Sequence, residues 1–185
     1  MSSLGIAAGH YGAAHVRASF PTKFSRKKGF RGKNGLDYDK EDSLLLVGST
    51  KHFVMSLTRH ATKCAKDLTT KYLKNVNKGM ASIPIFVASD SVDTIKHLML
   101  ENTLNPGMHL VSLPPHGENL HLDAQHNIGS SAKDYDSIFV DLWIIKNAAC
   151  VAYGVGWYGF FGALLTGNSC MVRHQNVQGT LSRKC

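Results

Sequence analysis

The sequence has few prolines, no low-complexity run and no internal repeat. Five prolines in 185 residues, together with 43% apolar residues, exclude the composition of a disordered chain. A chain of this length can bury a normal core. We therefore predict one domain over residues 1–185, with a basic loop at residues 18–42 and a C-terminal tail at residues 175–185.

No apolar segment is long and continuous enough to suggest a membrane span. The most apolar window, residues 148–165, is interrupted by glycines and tyrosines, which favours a strand, a turn and a helix. The first residues lack a cationic stretch before an apolar core, so no secretory signal is visible. We expect no transmembrane helix in this sequence.

Cysteine spacing excludes the common metal and redox motifs. Cys64, Cys150, Cys170 and Cys185 show no C-x-x-C spacing, which argues against a zinc knuckle or a thioredoxin motif. Buried thiols are the favoured state, because a free cysteine packs as a small apolar residue. A Cys150–Cys170 disulfide requires that their two strands be neighbours.

Other metal ligands are poorly placed as well. Two D-x-D matches occur at residues 37–39 and 134–136, but neither follows a buried strand that would hold its carboxylates rigidly. The loop histidines His109, His116, His121 and His126 have a spacing that does not impose convergence on zinc. We expect neither a metal nor a cofactor.

Positive charge is concentrated in the first part of the chain. Residues 1–78 contain fifteen Lys and Arg against five Asp and Glu, whereas residues 79–185 contain six against eight. A run from Lys23 to Lys33 contains no acid. Two interpretations stay open: a solvated loop, or a loop that covers a substrate phosphate or another anionic surface.

Apolar patterning predicts alternating strands and helices. The predicted strands are residues 11–18, 83–88, 109–113 and 150–153, with one more before Arg173. Helices are predicted at residues 51–76 (ended by Gly79), 92–101 and 135–148, and after the glycines that follow residue 153. The buried face of the first helix is predicted to contain Val54, Leu57, Ala61, Cys64, Leu68, Tyr72 and Val76. This order favours an α/β, Rossmann-like layered fold with a mostly parallel sheet flanked by helices.

Two strand ends carry groups suited to phosphate. His15 and Arg17 lie on one face of the first strand, and a guanidinium at a strand end offers a planar fork to an anion. Gly154-x-Gly156-x-x-Gly159 follows a strand and opens a helix, so backbone N–H groups can approach a ligand there.

The glycines also fit two other interpretations. One is an NAD or FAD site, which the absence of any Asp or Glu after Asp141 argues against. The other is a turn that only allows close packing of helix and strand. Similarly, Asp90 follows the IPIFVAS strand, where Ser89, Asp90 or Ser91 can cap the next helix and Asp90 can also accept from a base amino group.

Taken in order, the segments AAHVRASFP, IPIFVASDS and the glycine turn before NSCMVRH resemble the fucosyltransferase-like glycosyltransferases of GT-B fold. The resemblance covers residues 10–174. More narrowly, these residues resemble the donor-binding C-terminal half of the protein O-fucosyltransferases and α-1,6-fucosyltransferases. It implies that Arg17, with His15 beside it, binds the β-phosphate of GDP-fucose and acts in catalysis. It also implies that Asp90 binds the guanine edge. The family's Ser/Thr-rich phosphate turn is replaced here by glycines, and we expect Gly154, Gly156 and Tyr158 to complete the donor site through backbone amides near the phosphate.

The resemblance implies metal-independent transfer from a GDP-sugar, in which Arg17 and backbone amides stabilise the charge that grows on the leaving GDP. It further implies an enzyme of the Golgi or endoplasmic reticulum whose N-terminal lobe is missing from this sequence, so we do not expect this chain alone to complete the reaction. The acceptor is not identified.

Two other functions stay open. One is a non-catalytic interaction domain that binds a nucleotide or another anion. The other is a basic RNA-binding protein, but the basic run contains only Phe24 and Phe30 as stacking residues, so a nucleic-acid partner is not expected.

Overall fold

The computed structural model describes residues 2–18, 47–74, 82–104, 106–114, 135–175, 181–183 and 185. Five strands form one sheet in these residues: β1 (Gly12–Val16), β2 (Pro84–Ser89), β3 (His109–Val111), β4 (Cys150–Tyr153) and β5 (Met171–Arg173). The helices are α1 (Val47–Leu73), α2 (Val92–Leu104), α3 (Asp136–Lys146) and α4 (Trp157–Leu165). All strand pairs are parallel, which confirms the predicted α/β, Rossmann-like layered fold.

Strand order places β1 at the centre of the sheet. The order is β3-β2-β1-β4-β5, so the chain first moves outward from β1 to β3 and then returns to the other side of β1. The register pairs Val16 with Ser89 of β2, and His15 with Tyr153 of β4. The connection after β1 leads to β2 on one side, and the connection after β4 leads to β5 on the other side. Between two strands whose connections diverge in this way, a crevice opens at the carboxyl ends.

Helices α1 and α2 cover one face of the sheet. Their buried side chains pack on strand residues of the same face, and the cluster includes Ala14, Val16, Ile85, Val87, Leu57, Ala61 and Leu98. An ion pair on the surface, with Arg59 Nη2 at 2.7 Å from Glu101 Oε1, connects the two helices.

The other face is covered by α3, α4 and the first residues of the chain. Ala13, Phe86 and Val151 point to this face and pack against Ile144, Ile145 and Ala163. The Tyr11 hydroxyl donates to the Ile144 carbonyl at 2.5 Å, and the Ala149 N–H donates to the Tyr11 carbonyl at 2.8 Å. These bonds join the residue before β1 to α3 and to the residue before β4.

Helix α1 differs from the predicted buried face at its carboxyl end. Tyr72 was predicted to be buried but is 50% exposed, while Thr69 and Leu73 occupy the buried side. Thr69 lies over β1 at Gly12, where an added Cβ would collide with its hydroxyl oxygen and come within 2.9 Å of Ile85 Cδ1. Gly12 therefore allows α1 to lie close to the central strand.

The expectation of buried thiols is wrong. Cys64 of α1 is bonded to Cys185, and Cys150 of β4 is bonded to Cys170, so none of the four is free. β4 and β5 are neighbours, which is the condition set above for the second bridge; its Cα atoms are 4.7 Å apart. The sequence could not show that Cys185 returns to α1, because that approach depends on the tertiary fold.

Some predictions fall outside the described residues. These are most of the basic loop at 18–42, part of the C-terminal tail at 175–185, Val76 and the helix end at Gly79, the D-x-D match at 37–39, Asp134 of the second match, and His116, His121 and His126. None of the helices within the described ranges is long and apolar enough to cross a membrane.

The Cys64–Cys185 bridge joins residues 121 apart in sequence. A bridge across so long a loop restricts the unfolded chain strongly, and removal of such native bridges costs about 2–5 kcal/mol. We expect Cys185→Ser to lower the free energy of unfolding by about 3 kcal/mol, measured by urea denaturation without reductant. In excess dithiothreitol the wild-type protein and the variant should coincide; a difference that persists there would contradict the prediction.

Candidate functional site

Arg17 is the first charged residue after the central strand. β1 ends at Val16, so Arg17 lies directly at the carboxyl edge, half-buried beside the crevice between β1 and β4. A Cβ added at Gly156 would lie 3.0 Å from Arg17 Nη1. The guanidinium therefore lies beside the glycine turn.

Gly156 has a backbone conformation that favours glycine strongly. Its φ of 95° and ψ of 164° place it in a region that side-chain-bearing residues rarely adopt. It is the N-cap of α4, and no side chain caps this helix in the described structure. The first N–H groups of α4 have no intrahelical acceptor, so both they and Arg17 bring positive potential to the same place.

Asp90 is held against the end of β1. Its Oδ1 accepts a hydrogen bond of 2.5 Å from the N–H of Ala18, the residue after Arg17. The cap of α2 is Ser91, whose Oγ accepts from the N–H of Thr94 at 3.3 Å. Of the three candidate caps, Asp90 thus has a different role, because it joins the exits of β1 and β2.

Gly154 makes room for a histidine that the sequence did not single out. The His174 Nε2–H donates to the carbonyl of His15 at 2.9 Å, and the His174 backbone N–H donates to the carbonyl of Tyr153 at 3.0 Å. The ring reaches β1 by passing over Gly154, where an added Cβ would lie 3.2 Å from it. His174 therefore connects β5 to β4 and β1 at the edge that carries Arg17.

His15 lies beneath α4 and does not open into the crevice. A Cβ at Gly159 would collide with its Nδ1, and its ring centroid is 5.3 Å from that of Tyr158. Burial lowers the pKa of His15 to about 3, with smaller contributions from His174 and Arg17. Its ring is neutral at neutral pH, so it supports the position of α4 and adds no charge for a phosphate.

Tyr158 is also committed to packing. Its hydroxyl donates to the carbonyl of Ile138 on α3, away from the crevice. Burial, followed by the charge of Asp141, raises the pKa of the Tyr158 hydroxyl. Burial likewise raises the pKa of Asp141 to about 7. Tyr158 and Asp141 thus belong to the contact between α3 and α4.

The structure brings part of the predicted donor set together. Arg17, Asp90 and Gly156 meet at one edge of the sheet, and Gly154 lies beside them; the ring of His15 and the hydroxyl of Tyr158 are turned into the helix layer. Sequence reasoning missed His174 and Gln175, both fully buried. Within the described residues the Gln175 side-chain amide has no hydrogen-bond partner, and its Oε1 lies 3.5 Å from a Cβ placed at Gly154. The only signal in the sequence was their position directly after a strand.

One group of His and Cys side chains has metal-ligand proximity among the described residues. His60, Cys64 and Cys185 place their ligand atoms within 4.8 Å of one another. The two sulfurs are joined in a disulfide, however, and thiolates rather than disulfide sulfurs bind metals. The group is therefore explained by the disulfide and gives no metal centre.

No protein family, curated protein or solved structure matches the chain.

Asp141 makes stability depend on pH. Its folded pKa of about 7 lies above the ordinary value of 3.8, so the folded protein retains a proton that the unfolded chain loses between these pH values. Stability from this group is therefore present at low pH and is lost as the pH rises toward 7. We expect Asp141→Asn to be nearly neutral at about pH 4 and to stabilise the protein by about 2 kcal/mol at about pH 8.

Urea denaturation at both pH values measures this difference. The matched control is Asp136→Asn, an exposed carboxylate in the first turn of the same helix, which should give no gain at high pH because an acid stabilises a helix start. Equal effects of Asp141→Asn at the two pH values would contradict the expected ionisation.

Proposed function

We propose that this chain is the donor-binding lobe of a metal-independent glycosyltransferase that uses a GDP-sugar, GDP-fucose by the resemblance of its motifs. The observation that supports the proposal most directly is the meeting of Arg17, Asp90 and Gly156 at the carboxyl edge of a parallel sheet. This edge lies at the reversal of strand order, where α/β proteins bind nucleotides.

The centre of the edge suits a diphosphate. Arg17 offers several N–H donors in one plane, and the start of α4 adds backbone N–H groups beside it. When the bond from sugar to phosphate breaks, negative charge grows on the leaving GDP. Donors already fixed around that charge stabilise it in the transition state more than in the bound substrate, which is how such a site accelerates transfer.

The side of the edge formed by β2 suits a guanine. Asp90 lies where β2 ends, its Oδ1 accepts from the N–H of Ala18, and an ionised carboxylate only accepts hydrogen bonds. Guanine presents its ring N–H and 2-amino group as neighbouring donors, whereas adenine has no amino group at that position. The hydrogen bond from Ala18, the residue after Arg17, also holds Asp90 in place. In this proposal the residue that binds the base is therefore connected to the residue that binds the phosphate.

The two disulfides support the proposed location in the secretory pathway. Disulfides persist in the endoplasmic reticulum and in later oxidising compartments, whereas they are rare in the cytosol. A second lobe that carries the acceptor remains part of the proposal, since the edge described above accounts for the donor only.

A non-catalytic nucleotide-binding domain is the second candidate. The observation in its favour is the state of the two histidines near Arg17: burial lowers the pKa of His15 to about 3 and that of His174 to about 4. His174 donates into the sheet and His15 lies under α4, so neither is placed as a general base for an acceptor hydroxyl. Nucleotide binding without turnover, with or without an added lobe, would favour this candidate.

We expect GDP to bind more tightly than ADP or NAD, because Asp90 can accept from guanine and no carboxylate serves an NAD ribose. Isothermal titration calorimetry with the three ligands measures the difference. The GDP titration is repeated in EDTA, where affinity should not change, since Arg17 and the α4 amides take the place of a cation. Equal or absent binding of the three ligands would contradict the donor site, and affinity that is lost in EDTA and returns with Mn²⁺ would contradict the metal-independent mechanism.

Arg17→Lys should weaken GDP binding about tenfold or more, because lysine keeps the charge but loses the planar pair of donors, and bonds to charged groups contribute about 1.5–3 kcal/mol. The melting temperature should stay nearly unchanged. Arg59→Lys is the matched control, since Arg59 pairs with Glu101 on the outside of α1 and α2. Normal GDP affinity in Arg17→Lys, or unfolding of this variant, would show that Arg17 has a structural role instead.

A further inference from the structure

The layer formed by α3 and α4 exposes an unusual number of large apolar side chains. Phe139 and Trp143 on α3 are 56% and 50% exposed, and Trp157 and Phe161 on α4 are 82% and 50% exposed. Leu164 and Leu165 extend the same surface. We call these six residues the outer aromatic face.

Helical geometry makes this face continuous. Gly162 of α4 packs on Leu142 and Ile145 of α3, so the two helices lie side by side. Residues four apart lie on the same side of a helix, so Phe139 and Trp143 share one side of α3, and Trp157 and Phe161 share one side of α4. The sides of both helices that face the sheet carry Ile144 and Ala163. The aromatic pairs therefore point outward, next to one another.

None of the six residues of the outer aromatic face is charged. α4 contains no charged residue, and α3 contains only Asp136, Asp141 and Lys146. Interfaces between copies of one protein have this character: they are more apolar than other interfaces, enriched in aromatic residues and depleted of charge at their centre. A membrane-binding helix would instead carry Lys and Arg on the side that faces the lipid headgroups.

The size of the face also fits a dimer. Taking about 200 Å² for an aromatic side chain, the exposed fractions of the four aromatics amount to about 480 Å², and the two leucines add to this. A standard interface uses about 800 Å² from each partner, including a polar rim around the apolar centre. An apolar surface can meet its own copy about a two-fold axis without any opposition of like charges.

We propose that the outer aromatic face is the interface of a homodimer, in which α3 and α4 of one copy pack against α3 and α4 of the other. The argument for this interface uses none of Arg17, Asp90 or Gly156, although Trp157 of the face directly follows Gly156.

The protein itself contains a probe for this interface. Its only two tryptophans are Trp143 and Trp157, and both belong to the face. On dilution from about 100 µM to about 1 µM, a range that brackets a micromolar dissociation constant, tryptophan emission should shift to longer wavelength as the indoles enter water. Light scattering after size exclusion should show the mass falling from twice 20.2 kDa toward 20.2 kDa over the same range.

Phe161→Glu should give the monomer mass and the long-wavelength emission at every concentration, with unchanged far-UV circular dichroism. The matched control is Leu104→Glu, which changes a 71% exposed leucine at the end of α2 in the other helix layer and should leave the dimer intact. Should Phe161→Glu fail to fold, the dilution experiment on the unchanged protein decides alone.

A wild-type protein that is monomeric at about 100 µM would overturn the proposal. Dimers that persist unchanged in a folded Phe161→Glu variant would also overturn it. The same holds for a monomer whose emission changes only when phosphatidylcholine vesicles are added, because that result identifies the face as a membrane contact.

Discussion

Burial of the central strand on both faces is the constraint on which the rest of the structure depends. All residues of β1, Gly12–Val16, are buried, between β2 and β4 in the sheet and between α1 and α4 across it. The helices can approach this closely only because Gly12 and Gly159 lack side chains. Inside the strand the one ionisable side chain, His15, is kept neutral. Positive charge can therefore appear only where the strand ends, at Arg17.

The carboxyl edge stays in place through bonds that cross between strands. His174 joins the ends of β5, β4 and β1, and Asp90 joins the ends of β2 and β1. The two neutral histidines, His15 and His174, destabilise the fold in acid. Their folded pKa values of about 3 and 4 lie below the ordinary 6.5, so the unfolded chain takes up protons at a higher pH than the folded protein does. The contribution of the two histidines to stability is therefore lost as the pH falls below 6.5. Asp141, whose folded pKa is raised from 3.8 to about 7, instead stabilises the fold as the pH falls over much of the same pH range.

Hydrophobic patterns in the sequence predicted best those strands that are buried on both faces of the sheet. The strand at residues 150–153 was predicted with the bounds it has, because a short apolar run before glycines leaves few alternatives. The buried face of α1 was predicted less well, since Thr58, Thr62 and Thr69 are polar by type yet buried, their hydroxyls donating to carbonyls within the helix. Both disulfides and the path of His174 over Gly154 depend on contacts between segments that are distant in sequence, and a local hydrophobic pattern does not contain such contacts.

In the candidate site, the approach of Arg17, Asp90 and Gly156 could be predicted because parallel strands bring their carboxyl ends to one edge of the sheet. The inward orientation of His15 and Tyr158 could not, because it depends on how α4 packs on the sheet.

Helix α4 belongs to both proposed surfaces, which meet at its first turn. Its axis brings the first N–H groups toward the edge beside Arg17, while its outward side chains form four of the six residues of the outer aromatic face. Trp157, the first residue of α4, directly follows Gly156 and is 82% exposed. If a second copy covers Trp157, it restricts the first turn of α4 and so reduces the conformational freedom that the backbone N–H groups lose on binding a phosphate. Dimerisation and nucleotide binding would then favour each other through the same helical turn, with no movement of the sheet.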